Sequence, residues 1–87
     1  YWYKKLHRAI WKEGIELVNT RKIKGRMVEL GLTQKDLARA LDLAQPTVSQ
    51  KIGNIRAMTV QEAFTLANIL DIADEEFREY FFNQEIA

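Results

Sequence analysis

The chain has 87 residues, the length of one small domain. It contains no cysteine, which excludes a disulfide framework or a thiolate metal site. No apolar run approaches the roughly 20 residues of a membrane span and no signal-peptide pattern is present, so we expect a cytoplasmic protein with no membrane partner. The net charge is only +1, but the charges are unevenly distributed along the chain. Residues 1–56 carry twelve Lys and Arg against five acids, whereas residues 57–87 carry one Arg against seven acids. This segregation is compatible both with a basic face for phosphates and with ordinary solvated helices.

Residues 1–19 begin with Tyr rather than Met, which indicates a fragment or a processed form. Leu6, Ile10 and Leu17 recur at helical spacing beside two tryptophans, so we predict an amphipathic helix here. We interpret it as a helix that packs on the domain or on a second subunit, since tryptophans seldom stay exposed. An appended segment and a membrane-surface helix are the alternatives, and two glutamates count against the latter.

Residues 21–30 are predicted to form the first helix of the domain proper. Ile23, Met27 and Leu30 fall at i, i+4 and i+7, which places them on one face toward the core. Gly31 follows and is expected to end this helix in a left-handed cap.

Residues 33–54, TQKDLARALDLAQPTVSQKIGN, predict two short helices joined by a tight corner. Thr33 can cap the first helix, and Asp36, three residues later, can complete a capping box. Leu37 and Leu41 then share the inward face of this helix.

The second helix of the pair is expected to begin at Pro46, whose fixed φ and missing N–H suit a first turn, with Gln45 as its flank. Val48 and Ile52 lie on the face that packs against the preceding helix. The outward face is polar, with amide and hydroxyl groups from Gln45, Thr47, Ser49 and Gln50.

A further helix is predicted after a loop at residues 55–58. Thr59 and Glu62 can form a second capping box at its start. The helix carries a broad apolar stripe that consists of Val60, Ala63, Phe64, Ala67 and Leu70.

The last predicted helix spans about residues 74–82. Three acids lie in its first turn, where the helix dipole favours them. The aromatic side chains that can pack are Phe77, Tyr80 and Phe81. Phe82 and Ile86 are then surplus to a small core.

The run LTQKDLARALDLAQPTVSQKIGN resembles the helix-turn-helix of phage lambda-type repressors, Cro proteins and related bacterial regulators, and the resemblance extends over about residues 21–82. It is carried by Thr-Gln at the start of the first helix, by Ala38 and Leu43, and by Gln-x-Thr-Val-Ser on the second helix. Together with this motif, the segregated charge favours nucleic acid as the partner.

The chain departs from the family pattern at three places. Asp42 stands at the turn position usually held by Gly, Ala44 replaces the usual Ser or Thr cap, and Gly53-Asn54 replaces Asn-Gly. Asp tolerates the left-handed region better than most residues, and a missing cap costs about 1 kcal/mol. All three departures leave the outward polar face intact.

The resemblance implies a compact all-α, five-helix lambda-repressor-like domain over residues 20–87, with an additional N-terminal helix or appended segment at residues 1–19. It also implies a transcriptional regulator, of the phage-repressor type, that binds double-stranded DNA sequence-specifically without a cofactor. Because one such unit reads only a few base pairs, we expect a homodimer. The expected dimer interface consists of Phe81, Phe82, Ile86 and the N-terminal helix.

The residues predicted to read bases are Gln45, Pro46, Ser49 and Gln50 from the resemblance, and Thr47 from its place on the same face. A glutamine amide can donate and accept at once against adenine. The predicted phosphate contacts are Gln34, Asn54 and Arg56 from the resemblance, and Lys22, Lys24 and Lys51 from their charge. In the ordinary alternatives, Gln34 only opens its helix, Thr47 bonds its own backbone and Lys51 is a solvated lysine.

Catalysis is not predicted. Glu75 and Glu76 are adjacent and diverge on a helix, the single histidine has no second metal ligand nearby, and no Gly-rich phosphate loop is present. Two alternative functions remain. One is an antitoxin that binds a toxin as its protein partner through residues 1–19. The other is a protein-interaction module that has lost DNA binding.

Overall fold

The computed structural model describes residues 18–82. Its helices are α1 (Thr20–Leu30), α2 (Gln34–Leu41), α3 (Gln45–Ile52), α4 (Val60–Ile69) and α5 (Phe77–Phe81), and a 3-10 turn at Asp74–Glu76 leads directly into α5. The described residues form no strand element, which confirms the all-α, five-helix prediction. Ile86 and nearly all of the predicted N-terminal helix lie outside the described residues. No helix of the described part is long and apolar enough to cross a membrane.

The helix ends follow the local signals in the sequence. The Asp36 N–H donates to the Thr33 hydroxyl at 3.3 Å, and the Thr33 N–H donates to the Asp36 carboxylate at 2.8 Å, which confirms the capping box of α2. The box of α4, between Thr59 and Glu62, is confirmed in the same way at 3.0 and 2.9 Å. Gly31 ends α1 at φ 70°, the left-handed region that was predicted.

The start of α3 differs from the prediction by one residue, because the helix begins at Gln45. The Ala44 carbonyl accepts the Thr47 N–H at 3.0 Å and the next N–H at 3.1 Å, so Ala44 is the N-cap although its side chain makes no cap bond. Pro46 therefore occupies the second helical position, where an N–H would have no helical partner in any case. Asp42 ends α2 at φ 58°, the left-handed conformation expected where the family has Gly.

The core takes side chains from all five helices and from the segments between them. Its buried members are Val18, Ile23, Met27, Leu37, Ala38, Val48, Ile52, Met58, Ala63, Leu66, Leu70, Ile72, Tyr80 and Phe81. The predicted inward faces of α1 and α4 were partly wrong: Leu30 is 40% exposed and Phe64 is 55% exposed, whereas Leu66 is completely buried. The neighbouring helices, and not the apolar residues alone, decide which part of a wide stripe is covered.

The aromatic residues near the C-terminus pack within the domain. Phe81 is completely buried, and Phe82 is half-buried against the core. The prediction that Phe82 is surplus was therefore wrong, and neither residue is left over as an exposed side chain for a dimer interface. Phe77 joins them in an aromatic cluster, with its ring centroid 4.8 Å from that of Phe81 and 5.4 Å from that of Phe64.

Helix α1 holds the C-terminal ends of two other helices. The Thr20 hydroxyl donates to the Ile52 carbonyl at the end of α3 at 2.6 Å. Arg26 Nε donates to the Leu70 carbonyl just after α4 at 2.8 Å, so its guanidinium satisfies a carbonyl that the helix leaves unpaired. The first contact ties the end of α3 to α1, and the second ties the end of α4 to α1.

Candidate nucleic-acid interface

The outer face of α3 carries the side chains predicted to read bases. We call it the α3 ridge, and it consists of Gln45, Pro46, Thr47, Ser49 and Gln50. All of its members are exposed except Thr47, which is half-buried. Val48 and Ile52, on the inner face of α3, are completely buried. The helix is therefore held by its apolar side while its polar side faces solvent.

The polar side chains of the α3 ridge make no hydrogen bond to any other residue between 18 and 82. The amides of Gln45 and Gln50 thus keep both a donor and an acceptor for an external partner. The Thr47 hydroxyl likewise makes no bond to its own backbone, which removes the alternative interpretation of that residue.

Two predicted phosphate contacts, Lys22 and Asn54, have partners inside the domain. Lys22 Nζ lies 2.9 Å from Glu79 Oε1 and 5.0 Å from the Tyr80 ring centroid, and its hydrogen bond to Glu79 raises the pKa of Lys22. The Asn54 amide accepts the Val18 N–H at 2.7 Å and donates to the Val18 carbonyl at 3.0 Å. Asn54 therefore ties the start of the domain to the turn that follows α3.

Lys51 is a third predicted phosphate contact with an internal partner. Its Nζ donates to Glu62 Oε1 at 2.8 Å and to the Ala57 carbonyl at 3.2 Å, and its side chain is only 12% exposed. Burial disfavours the charged form of Glu62, but the hydrogen bonds from Lys51 and from the Thr59 N–H outweigh burial and hold the pKa of Glu62 below its usual value. Lys51 thus links the end of α3 to the cap of α4.

The lowered carboxylate pKa values predict a loss of stability in acid. The pKa of Glu62 is lowered as described, and that of Asp36 is lowered by backbone and side-chain hydrogen bonds from Thr33. A lowered folded-state pKa adds stability above the unfolded-state value of about 4, and this contribution is lost as the pH falls through that value and then through the folded pKa. Urea unfolding from about neutral pH down to about pH 3 measures the loss.

The Glu62→Gln variant is the control for this acid effect. Its amide keeps an oxygen that can accept the Thr59 N–H, but it does not titrate, so its unfolding free energy should fall less over the same pH range. A decline as steep as that of the unmodified protein would show that Glu62 does not contribute.

The remaining predicted phosphate contacts have side chains without partners among residues 18–82. Lys24 and Arg56 are exposed and Gln34 is half-buried, and none of the three side chains makes a hydrogen bond or ion pair there. The N–H groups of Arg56 and Ile55 both donate to the Gln50 carbonyl, at 3.2 and 2.8 Å. This turn places Arg56 at the C-terminal end of α3.

Lys35 is a candidate that the sequence analysis did not single out. It follows Gln34 in the first turn of α2, is exposed, and has no side-chain partner among the described residues. The unpaired N–H groups and the dipole at a helix start also favour a phosphate. Its place beside Gln34 was a usable signal, but only the structure shows that Lys35 makes no hydrogen bond or ion pair with a described residue and interacts with Asp36 only through their charges.

The described residues offer no metal centre. Among them, no group of three or more His, Asp or Glu side chains is arranged to hold an ion. Glu75 and Glu76 are exposed on the 3-10 turn before α5 and do not belong to the helix that carries the α3 ridge.

A protein-family model matches residues 18–84, most of the chain, and its description is "Protein of unknown function (DUF739)". No curated protein and no solved structure matches the chain. That description names no activity.

Proposed function

Given that the chain belongs to the DUF739 family, we propose that it binds double-stranded DNA sequence-specifically by placing the α3 ridge in the major groove. We propose further that it is a transcriptional regulator of the phage-repressor type and that it binds DNA as a homodimer. The supporting observation is that α3 is fixed on its inner face while the amides of Gln45 and Gln50 have no partner among the described residues.

The α3 ridge has the chemistry that base reading requires. An α-helix fits the major groove, where each base pair presents its own pattern of donors and acceptors. Gln45 and Gln50 can each pair with adenine through a donor and an acceptor, and Ser49, four residues after Gln45, shares its face. Pro46 offers only an apolar contact, which suits a thymine methyl group.

The free cations support a matching set of phosphate contacts. Lys35 lies at the start of α2 and Arg56 at the end of α3, so one unpaired charge lies at each end of the helix pair. Such contacts fix the orientation of a recognition helix without reading sequence. Lys24 adds a third free charge from α1.

The homodimer part of the proposal follows from the size of the site. A single unit reads only a few base pairs, whereas two-fold dimers place recognition helices about 34 Å apart and read both halves of a near-palindrome. Among the described residues, Leu30 and Ile55 are apolar and exposed. They replace Phe81 and Phe82 as side chains available for such an interface.

Selection of bound duplexes from a random pool tests the proposal. We expect enrichment of a near-palindrome with two half-sites about one helical turn apart. The log of the binding constant should fall by about 0.9 per log unit of salt for each phosphate neutralised. A folded protein that enriches no sequence would contradict the proposal, and is the result expected of an interaction module that has lost DNA binding.

Arg56→Ala is expected to weaken binding equally on all duplexes and to reduce the salt slope by about 0.9 per subunit, because Arg56 is free to neutralise a phosphate. Lys35→Ala should behave in the same way. Titrations of selected and unselected duplexes at several salt concentrations measure both effects.

Lys51→Met is the matched comparison for these charge variants. It removes one positive charge beside the end of α3 but leaves Glu62 without its charged donor. We therefore expect an unchanged salt slope and an unfolding free energy lower by about 1–3 kcal/mol. If the slope falls in Lys51→Met and not in Arg56→Ala, the division between free and paired cations is wrong.

A further inference from the structure

A groove with a mixed polar and apolar lining lies between α4 and the segment that leads into α5. It has a volume of about 380 Å³, and the lining residues include Phe64, Ala67, Ile72 and Phe77, together with Asp71 and Asp74. Phe64 is 55% exposed although its ring centroid lies 5.4 Å from that of Phe77. None of these residues belongs to the α3 ridge, so the groove is a second feature that DNA binding leaves unused.

The acidic side of this groove complements the first part of the chain. The Asp71 side chain is 92% exposed and lies 3.9 Å from Arg26 Nη2, an ion pair at the edge of the groove. Asp74 is exposed as well. Residues 1–17, YWYKKLHRAIWKEGIEL, contain two tryptophans and two tyrosines, and four Lys and Arg against two Glu. An aromatic, cationic segment thus has both the apolar and the charged groups that match the groove.

The chain also enters the domain close to this groove. Val18 is buried, and the Asn19 N–H donates to the Tyr80 carbonyl on α5 at 2.7 Å. Tyr80 lies three residues after Phe77, about 4.5 Å along the helix axis. Seventeen residues span about 25 Å even as a helix, so the segment is long enough to reach the groove.

We propose that residues 1–17 bind in this groove of their own chain, with a tryptophan side chain against Phe64 and Phe77. A short tether gives the segment an effective concentration of the order of millimolar, which favours its own groove over that of a second copy. The aromatic ring buries the exposed face of Phe64, and the basic side chains lie near Asp71 and Asp74. This surface is independent of the α3 ridge, so a failure here leaves the DNA-binding proposal untouched.

Tryptophan fluorescence tests the proposal directly, because both tryptophans of the chain lie in residues 1–17. In the full chain we expect emission at shorter wavelength, and weaker quenching by acrylamide, than in a synthetic peptide of residues 1–17. Phe64→Ser should shift the emission and the quenching toward the peptide values. Circular dichroism should show an intact fold, since Phe64 is more than half exposed.

Two further variants complete the test. Asp74→Lys should shift the emission in the same direction as Phe64→Ser, with a larger effect at low salt. Val28→Ser, which removes an apolar side chain that is 80% exposed on α1, should leave the emission unchanged.

Four results would each overturn the proposal. The first is wild-type emission equal to that of the peptide, and the second is a shift produced by Val28→Ser and not by Phe64→Ser. The third is emission that depends on protein concentration, which would assign the segment to a second copy. The fourth is a shift to shorter wavelength that occurs only with vesicles of anionic lipid, which would assign it to a membrane surface.

Discussion

Gln50→Ala is expected to remove selectivity at one base position in each half-site of the selected duplex while leaving the fold intact. The Gln50 side chain is exposed and makes no hydrogen bond to another described residue, so its loss should change stability by no more than about 0.5 kcal/mol. A bidentate contact between glutamine and adenine is worth about 1–3 kcal/mol of discrimination, which is roughly five- to 150-fold in affinity. Competition between the selected duplex and its single-base variants measures this discrimination.

Gln61→Ala is the matched control for Gln50→Ala. Gln61 is also exposed, but it lies on α4 and outside the α3 ridge, so its replacement should leave the affinity for every duplex unchanged. If Gln50→Ala weakens all duplexes alike, Gln50 contacts the DNA backbone or nothing at all. If Gln61→Ala has the same effect as Gln50→Ala, the assignment of base reading to α3 is wrong.

Phe81→Ala is expected to destabilise the domain by about 3–5 kcal/mol. The Phe81 side chain is completely buried and its ring packs on that of Phe77 at 4.8 Å, so the truncation removes apolar contacts and leaves a cavity. Since domains of this kind are stable by only about 5–15 kcal/mol, much of the stability would be lost. Urea unfolding followed by circular dichroism measures the change.

Phe64→Ala provides the comparison within the same aromatic cluster. Because Phe64 is 55% exposed, we expect a much smaller loss of stability from the same truncation. Sedimentation of both variants adds a second readout. A Phe81→Ala protein that keeps its stability but loses self-association would show that Phe81 lies between subunits and not in the core.

The parts of the fold that could be predicted from the sequence depend on neighbours within a few residues. The Thr33 and Thr59 caps each require a carboxylate three residues later, and the left-handed Gly31 requires only the absence of a side chain. The exposure of most of the α3 ridge was equally predictable, because Val48 and Ile52 mark the buried face of this eight-residue helix and the ridge side chains lie on its other faces.

The errors concern choices that distant parts of the chain decide. The apolar stripe of α4 is wide enough to bury either Phe64 or Leu66, and packing against the other helices buries Leu66. In the same way, nothing local shows that Lys22 pairs with Glu79, 57 residues later, or that Asn54 bonds Val18, 36 residues earlier. The sequence therefore indicated the polar surface of α3 but not which nearby cations are free.

Whether the α3 ridge enters the major groove is tested most directly by an NMR titration of the full chain with the selected duplex. We predict the largest chemical-shift changes in the backbone amides of α3, in the side-chain NH₂ groups of Gln45 and Gln50, and at the start of α2. The signals of residues around Phe64 should stay unchanged. Changes confined to α4 and α5, with the α3 ridge unshifted at saturating DNA, would contradict the proposed mode of binding.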